Sequence, residues 1–312
     1  MENLILSFNV IAPLMLLLAV GAFLKKIGFI SDAVNKSMNK MVAQFFLPLL
    51  VFKNIINCDP GEVFNGKLIV FVVIFIFAEF FAAMLIAKFG TKDRKKMGVM
   101  IQGMFRSNYV IFGTPVAISL YGDQGAAAAA ILAMAVIPCF NVLAVVALEM
   151  YNGSKVNPLK MLKKTATNPL IIASVLGIVF SLCKISIPEI IYDPMCDLAS
   201  CATPLAFIFL GATFTFGSIK EHWRELFTTV SCRLIFFPIV VVGLAALLGF
   251  DGVWLVVVLT VFASPTAVSS FSLAQTLGGD DKLAVNVVIF TSMLSIVTMF
   301  LWILVLKSMM LI

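Results

Sequence analysis

Charge is what this chain has least of. Asp, Glu, Lys and Arg make up 12% of its 312 residues, against about a quarter in a soluble domain, and that scarcity excludes a soluble globular protein of one or two domains. Histidine occurs once, as His222 beside Trp223 in a polar loop, where it reads as a solvated side chain. One histidine builds neither a metal centre nor an H-E-x-x-H zinc site. The six cysteines (Cys58, Cys139, Cys183, Cys196, Cys201 and Cys232) form no C-x-x-C pair and read as small apolar packing residues. The apolar runs hold no central aspartate, and no base accompanies Ser107 or Ser270, so aspartyl and serine intramembrane proteolysis lack their groups. No catalytic residue, metal or cofactor is expected. The first charge is Glu2, and the run from Leu4 to Leu24 ends in no small-x-small cleavage pattern, so the N-terminus reads as a first span and not as a signal peptide.

What the chain has is apolar length. Hydrophobic residues make up 62%, in runs of about 20, the length that spans a bilayer core. Ten spans are predicted: 4–24, 33–57, 67–88, 98–120, 125–149, 166–184, 195–216, 226–249, 252–276 and 282–307. The basic residues fall on alternate loops. Lys25, Lys26, Lys36 and Lys40 follow span 1; Lys88, Lys92, Arg94, Lys95 and Lys96 lie between spans 3 and 4. Lys155, Lys160, Lys163 and Lys164 lie between spans 5 and 6, Lys220 and Arg224 between 7 and 8, and Lys282 after 9. The opposite loops hold only Lys67, Lys184 and Lys307, so both termini are predicted on the non-cytoplasmic side of the cell membrane. This topology accounts for the net charge of +6, and no nucleic-acid partner is implied. The sequons at Asn35 and Asn152 then face the cytoplasm and are not glycosylation sites.

The two halves of the chain match at a nearly constant offset. Pro13-Leu14 and Gly21 correspond to Pro169-Leu170 and Gly177, and Pro48-Leu49 to Pro204-Leu205, all at 156 residues. The segment Asn108–Asp123 corresponds to Pro265–Asp280 at 157, with Ala117, Leu120, Gly122 and Asp123 recurring as Ala274, Leu277, Gly279 and Asp280. The organisation predicted is a first five-helix repeat over 1–150, a short cytoplasmic linker over 151–165 and a second repeat over 166–312. Five spans is an odd number, so the second repeat enters the membrane from the other side; inverted repeats of this kind are typical of secondary transporters.

Spans 4 and 9 are both interrupted in mid-membrane by small, polar and helix-breaking residues. Span 4 has Ser107-Asn108 and Gly113-Thr114-Pro115; span 9 has Ser264-Pro265-Thr266 and Ser269-Ser270. Proline removes a backbone donor, and the carbonyls it frees need new partners in hydrocarbon. Paired breaks point to a substrate site, and half-helix N-termini favour an anion. The substrate-binding candidates are Ser107, Asn108, Thr114, Pro115, Ser264, Pro265, Thr266 and Ser269. A pair of plain proline kinks is the structural alternative, the reading given to Pro138 and Pro238. Four charges lie within spans. Glu79 would carry a coupled proton or pair with a cation. Arg106 would attract an anion or neutralise Glu79. Arg233 and Lys53 would snorkel to an interface. Gln44, Asn54, Asn57 and Asn141 are weaker candidates, since amides also join helices together.

With these residues in view the chain resembles the auxin efflux carrier family of permeases, through FFLPLLVF at 45–52, RSNYVIFGTPVAISLYGD at 106–123, NPLIIASVLGI at 168–178, TPLAFIFLGATF at 203–214, the Pro265 region with its Gly-Asp turn, and TSMLSIVTMFLW at 291–302. The resemblance implies an all-α polytopic membrane protein with ten spans and a crossover of broken helices 4 and 9. It further implies a scaffold of spans 1, 2, 6 and 7, elevator-like motion of the rest, and a homodimer through spans 2 and 7. Family substrates are organic anions, among them auxin, malate and malonate. The chain lacks the long loop between spans 5 and 6 of the plant members and has Ser272 where a proline opposite Pro115 would make the crossover symmetric. Both departures point to a compact, prokaryote-like permease. The expectation is therefore a carrier of a small organic anion, with a proton as a candidate coupling ion. A sodium-coupled symporter or cation–proton exchanger of related fold would need acidic residues at the crossover, and the nearest, Asp123 and Asp280, lie at loop ends. A membrane receptor on a transporter scaffold is the third reading.

Overall fold

The computed structural model describes residues 2–57, 65–151, 163 and 166–312, and all of their regular structure is helical. Cys58, Asn152, Lys155, Lys160, Lys164 and most of the predicted linker lie outside the described residues, as do the side chains of residues 2–11 and Phe216. The helices are α1 (Glu2–Lys26), α2 (Asp32–Met41), α3 (Leu47–Ile56), α4 (Gly66–Gly90), α5 (Arg94–Phe105) and α6 (Thr114–Tyr151), followed by α7 (Pro169–Leu182) and α8 (Glu189–Thr213). The short α9 (Phe216–Glu221) precedes α10 (Trp223–Ser231), α11 (Phe237–Leu247), α12 (Gly252–Ala263), α13 (Ser269–Leu277) and α14 (Asp281–Ser308). Among the described residues five stretches are long and apolar enough to cross a membrane: Gly66–Gly90, Tyr109–Tyr151, Glu189–Thr213, Trp223–Leu247 and Asp281–Ser308. Large apolar side chains such as Phe89, Leu182, Ile190 and Leu247 point away from the molecule, as lipid-facing residues do.

The helix starts follow from short polar side chains. Asn65, Asp93, Asn168 and Asp280 each accept the backbone N–H of Leu68, Lys95, Leu170 and Leu283, occupying donors that a helix N-terminus leaves unpaired. α13 ends on Gly278, whose left-handed φ of 82° suits glycine. α6 runs through two predicted spans, with Gly122 (φ 55°, ψ −132°) as the bend between them.

Three turns are widened to π geometry: Val42–Phe46, Tyr109–Gly113 and Cys232–Phe236. Pro48, Pro115 and Pro238 each stand two residues beyond one of them. The cause is local: a proline clashes with the carbonyl four residues back and cannot bond it, so the turn holding that carbonyl opens. For Pro238 that carbonyl belongs to Leu234, and it accepts the indole N–H of Trp302 at 3.2 Å.

The helices pack in two groups. α1 lies along α8, and α3 packs on α7 and α8; α4, α5, α6, α11 and α12 pack mainly on one another, while α14 packs on α1 as well as on α5, α10 and α13. In the first group the backbones nearly touch. A Cβ on Gly21 would sit 1.9 Å from the Ile208 carbonyl oxygen, and one on Gly211 would sit 2.0 Å from that of Leu18. Only glycine allows this approach, the small-residue packing that holds helices together where lipid supplies no hydrophobic drive. The seam between the groups carries polar links. Asn39 of α2 donates to Gln275 of α13 and accepts from Ser272, both at 2.7 Å.

Candidate functional site

α5 and α12 both stop in the interior. Residues 106–108 and 264–268 are not helical, and they lie antiparallel against each other. The Asn108 N–H donates to the Pro265 carbonyl at 2.7 Å, and the Ala267 N–H to the Arg106 carbonyl at 3.3 Å. Two helix ends in a dry interior expose carbonyls that need donors, and most of them are met. At the end of α5 the Gly103 carbonyl accepts from Thr266 Oγ1 at 2.7 Å, and those of Met104 and Phe105 accept from Arg233 Nη1 at 3.2 and 3.0 Å. At the end of α12 the Val261 carbonyl, four residues before Pro265, accepts from Arg233 Nη2, and the Ser264 carbonyl from Arg233 Nε, both at 2.8 Å. Ser264 Oγ donates to the Thr260 carbonyl.

Arg233 is therefore a staple across both helix ends. It is fully buried in the π-turn after α10 and does not snorkel to an interface as expected from its position in span 8. Four carbonyls and a carboxylate replace the water it would otherwise need. The carboxylate is Glu79 of α4, at 3.7 Å. The cation beside Glu79 is thus Arg233; Arg106, which the sequence offered either as an anion-attracting group or as the partner of Glu79, stands elsewhere.

Arg106 is also buried, and its surroundings differ. Nη2 donates to Asn141 Oδ1 of α6 at 2.8 Å, while Nη1 has no partner among the described residues. Asn141 in turn donates to Ser174 of α7 at 3.2 Å, and Ser174 to the Leu170 carbonyl at 2.8 Å, so this chain of bonds crosses the seam between the two helix groups. Ser107 Oγ, beside Arg106, is likewise buried without a partner. Both residues line a cavity of about 90 Å³ at the seam, with these two atoms themselves buried. Its walls come from both groups: Leu47, Val51 and Asn54 of α3 and Thr203 of α8 on one side, and residues 106–111, 267–269 and Asn141 on the other. The π-turn at Tyr109 and the first turn of α13 begin at this wall, and their N–H groups point back toward the break. Arg106 is the one charged side chain in the lining.

Of the residues expected to bind substrate, Ser107, Asn108 and Ser269 line the cavity. Thr114 and Pro115 stand beyond the π-turn and do not line it. Ser264, Pro265 and Thr266 use their polar atoms inside the crossing; the Thr266 N–H, for instance, donates to Thr291 Oγ1 at 3.1 Å. Of the weaker candidates, Asn54 and Asn141 reach the cavity; Gln44 is exposed, and Asn57 accepts from the Tyr192 hydroxyl at 2.8 Å. Lys53 reaches across to Ser200 at 3.3 Å. Thr203, next to Pro204, and Ser174, on the helix capped by Asn168, lie within segments that carried the resemblance but were not singled out as site residues. His222 is not solvated: it is buried, with Nδ1 at 2.8 Å from the Ser218 carbonyl and Nε2 at 3.2 Å from Asp280.

An all-helical chain with apolar membrane-length helices and a small cavity beside two interior helix breaks is a multi-pass membrane protein suited to moving a small solute. Family comparison agrees: residues 6–303 match the Membrane transport protein family, and the chain belongs to it. It is a transporter by family and not an enzyme. Two uncharacterised archaeal transporters are similar over nearly the whole chain. The one from Methanothermobacter thermautotrophicus is 22% identical over 300 residues, covering 95% of this chain and 97% of the relative. The one from Methanocaldococcus jannaschii is 26% identical over 309 residues, covering 95% and 98%. A Rhizobium meliloti protein, provisionally named a malonate transporter, is 24% identical over 275 residues, covering 84% and 83%.

Proposed function

We propose that the chain is a secondary carrier of a small organic anion, with the cavity beside the crossing as its site. The observation that carries this reading is Arg106, a buried guanidinium in the cavity wall whose Nη1 has no partner among the described residues. A buried cation lacking a counter-charge is costly to keep unless something else supplies the charge. Two helix N-termini at the same wall add partial positive charge. A sodium or other cation site is disfavoured there, because no acid lines the cavity and Arg106 would repel the ion.

In this reading the architecture is ten spans in two inverted repeats. The support is specific. Asn108 and Pro265 are equivalent positions of the two halves, and they bond to each other, as residues beside a two-fold axis must. Gly21 packs on the Ile208 backbone, and its equivalent, Gly177, packs on the Ile55 side chain with the carbonyl of Phe52, the equivalent of Ile208, next at 3.5 Å from a Cβ there. The group of α1, α3, α7 and α8 serves as the scaffold and the rest moves against it as an elevator, carrying the site along the seam. The relative provisionally named a malonate transporter makes malonate the first probe.

Proteoliposomes loaded with buffer and given labelled malonate test the reading. Saturable uptake is expected, with Arg106→Gln reducing it by roughly tenfold to a hundredfold, the effect of one lost charge-assisted hydrogen bond. Uptake by the folded variant equal to that of the native chain would refute the site.

A further inference from the structure

We infer that the site takes an anion of one negative charge, a short monocarboxylate or a dicarboxylate carrying one proton, and that Asn141 positions Arg106 to bind it. The inference rests on the cavity being the anion site.

Charge bookkeeping in the interior leads to it. Glu79 and Arg233 stand 3.7 Å apart, each beside a group of opposite sign. His222 stands 3.2 Å from Asp280. Arg106 is left, among the described residues, as the buried charged side chain with no opposite charge beside it. One monovalent anion neutralises it; a dianion would leave a second charge among Leu47, Val51, Ile137 and Phe140, with no cation in the lining to meet it. Burying such an unpaired charge is strongly unfavourable.

Hydrogen-bond capacity agrees. Asn141 occupies Nη2, and its own amide is held by Ser174, so the guanidinium is fixed at the cavity wall with Nη1 left without a partner among the described residues. Nη1 together with the Ser107 hydroxyl makes a small donor set for one carboxylate group. The size favours a short acid, since the cavity of about 90 Å³ is small. A consequence follows for coupling. A dicarboxylate carried as its singly protonated form brings its own proton, so a pH-gradient dependence would need no proton-carrying residue, and Glu79 remains the partner of Arg233.

Short monocarboxylic acids cross bilayers unaided in their neutral form, so the test reads binding: the rise in melting temperature of the purified full chain with isobutyrate, lactate, malonate or succinate. At neutral pH isobutyrate and lactate are expected to act at concentrations at least about tenfold below the two dicarboxylates. The dicarboxylates should gain potency at mildly acidic pH while the monocarboxylates do not. Two variants check the residues. Arg106→Gln should lose the response. Asn141→Asp, which places a carboxylate on the guanidinium from within, should lose it too while melting higher than the native chain without ligand. A stronger response to the dianions at neutral pH, still lost in Arg106→Gln, would overturn the single-charge inference and leave the anion site standing. A full response in Asn141→Asp would overturn the role of Asn141. No response to any of the four acids would remove both the inference and the reading beneath it.

Discussion

The two buried arginines show how one residue type serves opposite ends. Arg233 has four carbonyls and Glu79 around it, so its removal strands all of them. Arg106 has one amide and an unpartnered nitrogen, so the native fold carries it at a loss. The expected outcome of detergent unfolding is therefore a contrast. Arg233→Ala should lower stability by about 3–5 kcal/mol, the effect of leaving a buried charge unpaired, and Arg233→Lys should not restore it, because one ammonium cannot reach carbonyls on two helix ends. Arg106→Gln should leave stability unchanged or raised. Equal losses in the two would contradict the division between staple and site. None of this was legible in the sequence, where both arginines are single charges in apolar runs. The difference lies in which backbone atoms meet them, and Arg233 meets carbonyls as far off as Met104. His222 was misplaced for the same reason: nothing local in the sequence brings Asp280 to it.

The helices and their interruptions were far more legible. Length and hydropathy located the apolar helices, and proline with small polar neighbours located the breaks at 107–108 and 264–266, because both signals are local in the chain. The π-turns were missed at Val42–Phe46 and Cys232–Phe236, although Pro48 and Pro238 mark them. A proline announces a disturbed turn without saying whether the helix will kink, widen or stop. That choice depends on a donor from elsewhere, such as Trp302 for Leu234. The crossing of α1 and α8 gives a prediction at this scale. Gly21→Leu would place atoms inside the Ile208 backbone, and loss of folded protein is expected on expression and size-exclusion chromatography. A Cβ on Gly243 of α11 would meet nothing within 4 Å, and Gly243→Leu on this exposed face should behave as the native chain. A well-folded Gly21→Leu variant would show that the two helices are not locked at that contact.

At the scale of the whole molecule, the cavity lies where the two helix groups meet, and every polar contact that crosses there joins parts proposed to move relative to each other. Asn39 with Gln275 and Ser272, and Asn141 with Ser174, are hydrogen bonds between neutral groups, weak enough individually to exchange during transport. In the proposed elevator motion the groups would slide along the apolar remainder of the seam, the crossing stapled by Arg233 would travel as one piece, and the cavity would meet each face of the membrane in turn. The most direct test places a cysteine at Ser269, in the cavity wall, in a chain whose native cysteines are replaced, and labels it with a membrane-impermeant thiol reagent from either side of sealed proteoliposomes. Labelling from both sides, slowed on both by malonate and unaffected by sodium, is the predicted result. Labelling from one side only, or labelling indifferent to every carboxylate, would contradict an alternating-access anion site at the crossing.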